Sequence, residues 1–513
     1  MLDILSQSLW LVLDPGVFAV LLIGTAFGIV AGALPGLGSV IAVTICLPFT
    51  YALGQVTSIA LLLAVYVGSV YGGSISAILI NTPGTPQAAA TTFDGYPMAV
   101  AGQADRALGW ATFASVMGGL FSCLVLIFAA PQLAALALNF GPIEIAALIV
   151  LALTCIASVS RGSLAKGLLA GIMGLFVAVI GSDPLTGDMR YTFDIFAISA
   201  GFDVIPVVVG LFALSEVFIR AAEPQKAQGR MVRYTGMKLP SLSDMRGRWG
   251  VLLKSSGLGS IIGVLPGTGA ATAAFIAYAE AKRSSPRRAG MGEGEPDGIL
   301  APESANNAVT GSALVPALAL GIPGDAVTAV MLTALVVNGV TPGVRLMVDN
   351  PQIVYASFMA LFLANIAMLV LAFASARLFA IVLRMPEALL MMSVVLLSVL
   401  GSYGVRGNVF DLYVMLAAGI LGFVLRVFNV PLAPIVIGLV LGPKFEVALR
   451  QGLILTDGSF WPFLASPLAL SLLLAAFLAI LWPAYAGHRE RKLSKAAPSD
   501  ARGEAVSDSR DQS

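Results

Sequence analysis

Charge is scarce in this chain. Asp, Glu, Lys and Arg make up 11% of its 513 residues, hydrophobic residues make up 58%, and mean hydropathy is +0.92. A soluble globular protein of this size has no interior large enough to hide that much apolar surface. The net charge of +1 excludes a strongly basic nucleic-acid binder. Histidine is nearly missing. The one His, His488, lies in a charged tail, so a His-dependent triad or a zinc site has no basis. Cys46, Cys123 and Cys155 sit in apolar segments without pair spacing and read as packing residues. No Gly-Lys dipeptide occurs, which excludes a Walker A loop. No Lys or Arg precedes Arg106, so the first residues lack the basic region of a cleavable secretory signal.

Apolar segments fill most of what remains. They recur at about 20 residues, long enough to cross a bilayer core of roughly 30 Å. The expected fold is an all-α polytopic membrane protein, with about 10–14 membrane segments at that span length. A polar stretch at 223–250 carries Lys226, Arg230, Arg233, Lys238, Arg246 and Arg248 and divides the chain. Residues 1–222 form a first membrane repeat and 251–450 a second. An extra span follows at 451–487, and 488–513 reads as a disordered cytoplasmic tail.

The two halves repeat one another in order. Gly28 to Gly38 reads G-I-V-A-G-A-L-P-G-L-G, and Gly259 to Gly269 reads G-S-I-I-G-V-L-P-G-T-G. Thr82-Pro83-Gly84 matches Ile322-Pro323-Gly324, and Ala170-Gly171 matches Ala418-Gly419. The region around Pro206 resembles that around Pro434. Basic residues favour the cytoplasmic side. The basic linker and the basic C-terminal tail therefore belong inside, while the first residues, which have no basic side chain, belong outside. This suits inverted repeats. Arg406, Lys444 and Arg450 would then lie outside, against the rule, and they keep a parallel arrangement open.

Each half contains two places where a helix cannot continue undisturbed. Pro35-Gly36-Leu37-Gly38 and Pro266-Gly267-Thr268-Gly269 form the first pair. Proline removes a backbone donor and glycine permits unwinding, so N–H and C=O groups come free at membrane depth and must find protein, water or ligand. The second pair is Asn81-Thr82-Pro83-Gly84-Thr85 and Pro323-Gly324-Asp325. Matched interruptions in two halves are the sequence pointer to a transporter's substrate site. Exposed N–H ends can hold a carboxylate, and carbonyls and polar side chains can hold a cation. The bland alternatives are a kink at each proline and, for the stripe Gly24, Gly28 and Gly259, close helix packing.

Asp325, between two apolar helices, is a candidate ion-coupling carboxylate, or a cap on the helix that follows. Glu303, with Asn306 and Asn307, is either a capping cluster or a set of site groups. Asp94, in Asp94-Gly95-Tyr96-Pro97, either carries a coupling ion or makes a turn.

At these residues the sequence resembles the large permease subunit of the tripartite tricarboxylate transporter family, over roughly 15–450. The resemblance rests on Gly32-Ala-Leu-Pro-Gly-Leu-Gly38, Tyr71-Gly-Gly-Ser-Ile-Ser76, Asn81-Thr-Pro-Gly84, Asp94-Gly-Tyr-Pro-Met98, Pro302-Glu-Ser-Ala-Asn-Asn307 and Leu320-Gly-Ile-Pro-Gly324. Met291 stands where the family tends to have an aromatic before a Gly-x-Gly, which puts a special role for the 289–298 loop in doubt. The resemblance implies a small membrane subunit, a periplasmic solute-binding protein and a carboxylate cargo such as citrate. It also implies secondary uptake across a bacterial inner membrane, coupled to H⁺ or Na⁺, with no cofactor. The rival from another class is an integral-membrane enzyme such as a lipid-group transferase. That would need acid, base or metal residues clustered in the spans, and these are few.

Overall fold

The structure is a computed structural model that describes residues 2–159, 164–222, 232, 234, 236–267, 269–343, 345–375 and 386–496. Arg161, Lys226, Arg230, Arg233, Thr268, Arg377 and Arg384 lie outside the described residues. A two-residue ribbon pairs Gly181 with Arg190 and Ser182 with Met189; it is the one sheet among the described residues. All other regular structure there is helical.

The first half runs through α1 (Leu2–Val12), α2 (Pro15–Ala33), α3 (Gly38–Cys46), α4 (Gln55–Ile80), α5 (Thr92–Met98), α6 (Ala104–Ala137), α7 (Pro142–Val159) and α8 (Leu164–Ala178). It ends in α9 (Val204–Val209) and α10 (Ser215–Ala222), joined by a π turn. The second half has α11 (Trp249–Val264), α12 (Gly269–Ser284), α13 (Asp297–Ser312), α14 (Leu314–Leu320), α15 (Ala326–Val337), α16 (Leu346–Asp349) and α17 (Pro351–Ser375). It continues with α18 (Glu387–Arg406), α19 (Val409–Val427) and α20 (Ala433–Leu455), followed by α21 (Trp461–Ala465) and α22 (Pro467–Ala496). Seven described helical stretches are long and apolar enough to cross a membrane, and six shorter apolar helices accompany them. The fold is thus an all-α multi-pass membrane protein. α22 continues to Ala496, into the stretch read as tail.

Small residues set the central packing. Gly24, Gly28 and Gly32 of α2 face the carbonyl oxygens of Leu61, Val65 and Ser69 on α4, where an added Cβ would stand 3.0, 2.4 and 2.1 Å away. Gly68 and Gly72 return the contact against Thr25 and Ile29. The four-residue stripe is therefore a close helix–helix seam, where dispersion rather than hydrophobic transfer holds helices in lipid. α11 and α13 meet the same way, Gly259 against the Ala305 carbonyl and Gly263 against Val309 and Ser312.

These contacts ascend together in both helices, so α2 runs parallel to α4 and α11 parallel to α13. The segment between each pair must return to the starting end. Lys254 near the start of α11 pairs with Glu280 near the end of α12, and Arg287 reaches the Gly247 carbonyl at 3.3 Å. α12 is therefore re-entrant, and the basic residues at and just beyond its end, Lys282, Arg283, Arg287 and Arg288, return to the linker side.

The two bundles run in opposite senses relative to the linker. The end of α4 lies beside it, with the Val232 N–H on the Leu79 carbonyl at 3.0 Å. The start of α13 lies there too, with Arg248 paired to Asp297. On the opposite face Arg406 pairs with Asp411 and Asp203, and Arg450 with Asp183 and Glu446. The three basic residues that weigh against the charge rule do lie there, and two of them are neutralised by carboxylates. Hydrogen bonds from the Leu185 and Thr186 N–H groups and from the Arg450 guanidinium hold the Asp183 carboxyl well below its ordinary range.

A topology prediction arises here. In a background without Cys46, Cys123 and Cys155, Met189→Cys should react with a membrane-impermeant thiol reagent in intact cells, and Leu242→Cys only after permeabilisation. Both side chains are exposed, at 58% and 85%. Equal reaction from outside would put the linker and the 181–203 loop on one side.

Candidate functional site

The paired breaks have nearly the same backbone. Leu34 has φ −83° and ψ 114°, and Leu265 has φ −80° and ψ 118°. Gly36 and Gly267 follow at φ +89° and +86°, and Gly38 and Gly269 at +62° and +69°. These are left-handed conformations that favour glycine, which is why Gly recurs at both positions in both halves. The second breaks also open on a left-handed residue, Asn81 at φ 55° and Gly321 at φ 72°. Within each half the two breaks touch. The Gly267 N–H donates to the Gly324 carbonyl at 2.7 Å. Gly84 packs so tightly on α2 that a Cβ would stand 1.9 Å from the Gly32 carbonyl oxygen.

One cavity of ≈ 660 Å³ collects all four regions. Of the residues singled out from sequence, Pro35, Gly36, Gly38, Thr82, Pro83, Gly84, Thr85, Gly269 and Asp325 line it. Asn81, Pro266, Gly267, Pro323 and Gly324 belong to the same breaks and form no part of its wall. Thr268 is outside the described residues.

Asp325 is 8% exposed and does two things. It caps α15, one oxygen accepting the Thr328 N–H at 2.8 Å, with the Thr328 hydroxyl reciprocating. Its other oxygen accepts the Tyr66 hydroxyl at 2.6 Å from the middle of α4. The cap and the intramembrane carboxylate are thus the same group. α3 differs: it begins at Gly38 in the cavity wall with no side-chain cap, so its first N–H groups are not engaged by a side chain.

Asp94, Glu303, Asn306 and Asn307 lie off the cavity. α13 starts at Asp297, six residues before Glu303, so Glu303, Asn306 and Asn307 stand inside a helix and the capping reading fails. Glu303 is fully buried and accepts hydrogen bonds from Thr91 and from Ser115. Asn306 reaches the Gln87 carbonyl at 3.5 Å, behind the cavity wall. Asp94 sits in α5 rather than in a turn. One of its oxygens accepts the N–H groups of Gly292, Gly294 and Glu295 at 2.8, 3.0 and 2.9 Å, and the other accepts the Tyr278 hydroxyl. Gly292 and Gly294 take φ +104° and +105° to aim those groups. The 289–298 loop is therefore clasped by Asp94, and its glycines rather than its missing aromatic carry that contact.

Several cavity residues escaped the sequence reading. Arg426 and Glu216 line the wall and pair with each other. Glu216 also holds Arg220 at 2.9 Å, and Arg220 bonds Glu387 at 2.6 Å and the Pro35 carbonyl at 2.5 Å. A guanidinium from α10 thus takes up a carbonyl freed by the first break. Ser39, Thr85 and Gln87, also in the wall, have buried side-chain oxygens with no hydrogen-bond partner among the described residues. No cluster of His, Cys, Asp and Glu able to hold a metal occurs among the described residues. Of all these, Thr85 alone was singled out from sequence, by its place beside Pro83-Gly84.

Comparison with known proteins agrees with this architecture. An uncharacterized 52.8 kDa protein from the TAR-I ttuC' 3' region of Agrobacterium vitis is 35% identical over 472 residues, 91% of this chain and 94% of that protein. An uncharacterized protein from the TAR-II ttuC' 3' region of the same organism is 35% identical over 215 residues, 42% of this chain and 89% of that protein. No solved structure matches. The profile of one transporter family matches residues 18–437, a stretch that contains all four breaks and every residue of the central cavity, and on that match the chain belongs to the tripartite tricarboxylate transporter TctA family.

Proposed function

We propose that this chain is the large membrane subunit of a binding-protein-dependent secondary transporter. It imports a tricarboxylate or related organic carboxylate across a bacterial inner membrane, driven by an H⁺ or Na⁺ gradient. A small membrane subunit and a periplasmic solute-binding protein complete the system. The observation that carries this reading is the single cavity where four helix breaks converge. Its wall offers a carboxylate the uncapped start of α3 and the Arg426 guanidinium. For a cation, Asp325 lines the same wall, and the buried, unpartnered oxygens of Ser39, Thr85 and Gln87 lie within it.

The halves, 1–222 and 251–450, are read as inverted repeats joined by the 223–250 linker. Their matched dihedrals and opposite running sense support this. In such an architecture alternating access exchanges the two sides of a central site.

Counterflow tests the reading. Proteoliposomes holding the permease, the small subunit and internal citrate should accumulate labelled citrate when the binding protein is present outside. Saturation and dependence on an imposed ion gradient would exclude a passive channel. Product formation from lipid or carboxylate without accumulation would favour the membrane-enzyme reading. Within the same assay, Asp325→Asn should shift the cation-dependence curve, because it removes the charge that holds Tyr66. Asp188→Asn, in the exposed 183–194 loop, should leave the curve in place. Coincident curves for the two variants would reduce Asp325 to a helix cap.

A further inference from the structure

A second cavity, of ≈ 860 Å³, opens on the face opposite the linker. It is lined by the 339–350 connection, by the start of α7 and by α20. The broken segment Gly321–Asp325 separates it from the central cavity: Gly321 and Ile322 line the outer space and Asp325 the inner one. A passage between the two cavities therefore has to displace or skirt this segment.

The charges in the outer cavity are Arg345, Lys444 and Asp349. Elsewhere on this face Arg190, Arg406 and Arg450 each have a carboxylate partner. Lys444 has none among the described residues. It is part-buried, and its ammonium donates to the Pro342 carbonyl at 2.5 Å. That ammonium is also close to the break: a Cβ on Gly321 would stand 3.2 Å from it and 2.9 Å from the Pro342 oxygen. A part-buried ammonium with a carbonyl rather than a carboxylate as its partner is poorly compensated, and an incoming anion improves its situation.

We propose that the outer cavity is a carboxylate-binding subsite on the route to the central cavity, with Lys444 as its charge-pairing group. Resting on the transport reading above, this adds where the substrate is first held. A carboxylate that pairs with Lys444 draws the ammonium from the Pro342 carbonyl, beside Gly321 in the segment that separates the two cavities.

Local thiol chemistry tests this without requiring transport. Thr341→Cys places a thiol in the outer cavity in a protein lacking the native cysteines. Right-side-out vesicles are treated with an anionic sulfonatoethyl or a cationic trimethylammonioethyl methanethiosulfonate. The anionic-to-cationic rate ratio should fall about tenfold when Lys444→Gln is added, the low end of what a focused charge does to encounter rates. Lys444→Arg should keep the ratio. Millimolar citrate should slow labelling in the Lys444 protein and not in Lys444→Gln. Gln451→Glu, which adds a carboxylate to the cavity wall and leaves Lys444 in place, should also lower the ratio and weaken citrate protection, so the test survives if Lys444→Gln fails to fold. An unchanged ratio in Lys444→Gln and Gln451→Glu overturns the proposal. A lowered ratio without citrate protection also overturns it, because the cavity would then be cationic but not a carboxylate subsite. Failure of counterflow with intact protection would instead count against the transport reading.

Discussion

Gly36→Leu is expected to abolish carboxylate uptake in a protein that still inserts and purifies as a monodisperse species. Gly36 is held at φ +89°, a conformation that costs other residues roughly 1–2 kcal/mol. That alone would not stop a transporter. The larger effect is local: a Cβ at this position would lie 1.1 Å from the Arg220 Nη2 atom. Arg220 is 7% exposed and fixed by Glu216, Glu387 and the Pro35 carbonyl, so it has little room to retreat. A leucine there fills the cavity wall and expels the guanidinium that stabilises the break. The loss should reach about a hundredfold, the scale on which ångström misplacements act at a reacting centre.

Gly267→Leu should act similarly in the second half, since Gly267 has φ +86° and ties the two breaks together through the Gly324 carbonyl. Gly102→Asn supplies the contrast. Gly102 is also left-handed, at φ +81°, but it lies off the cavity, a Cβ there meets nothing within 4 Å, and Asn tolerates the conformation. Its uptake should stay within a few-fold of wild type, a cost of about 1 kcal/mol or less. Uptake near wild type for both leucine variants would remove the breaks from the transport path.

The breaks were legible in the sequence because proline and glycine act on the backbone of their own residues. Pro35-Gly36 and Pro266-Gly267 announce an interruption whatever surrounds them, and the spacing of the second glycine announces its second left-handed residue. The same holds for the seam: glycines four apart face one side of a helix, and Gly24, Gly28 and Gly32 do meet α4 there. Pairings across the chain were not legible. Tyr66 and Asp325 are 259 positions apart, and Arg220 and Pro35 are 185 apart. Neither Tyr66 nor Arg220 has a local pattern that separates it from other residues of its type.

Polar residues in apolar surroundings gave the weakest guidance. Asp94, Glu303 and Asp325 look alike in sequence, each a carboxylate beside membrane segments. In the fold, Asp94 clasps a glycine loop, Glu303 is enclosed by hydroxyls, and only Asp325 reaches the cavity. The difference lies in which face of each helix meets which neighbour, and composition does not specify it. The charge rule was blunt for a related reason. It counts Arg406 and Arg450 as cations on the outer face, whereas Asp203, Asp411, Asp183 and Glu446 neutralise them there.

Arg426→Gln is expected to raise the KM for carboxylate about 10- to 100-fold, the equivalent of about 1.5–3 kcal/mol for a hydrogen bond to a charged group. Arg426 lines the central cavity with a 25% exposed side chain, and its carboxylate partner there is Glu216. Glu216 is shared, since it also holds Arg220. An incoming carboxylate can therefore take Arg426 from Glu216 while Glu216 keeps a cationic partner, so neither charge is left bare in the membrane. Loss of Arg426 removes the ligand's partner and leaves the Arg220 support of the Pro35 carbonyl in place. The maximal rate should consequently change much less than KM. Arg426→Lys should recover part of the affinity, since an ammonium keeps the charge but cannot form the two-pronged contact of a guanidinium. Initial rates over a range of citrate concentrations, in proteoliposomes with saturating binding protein, separate the two parameters. A variant with unchanged KM and a lowered maximal rate would assign Arg426 to the packing of α19 on α10 and leave the uncapped start of α3 as the carboxylate's anchor.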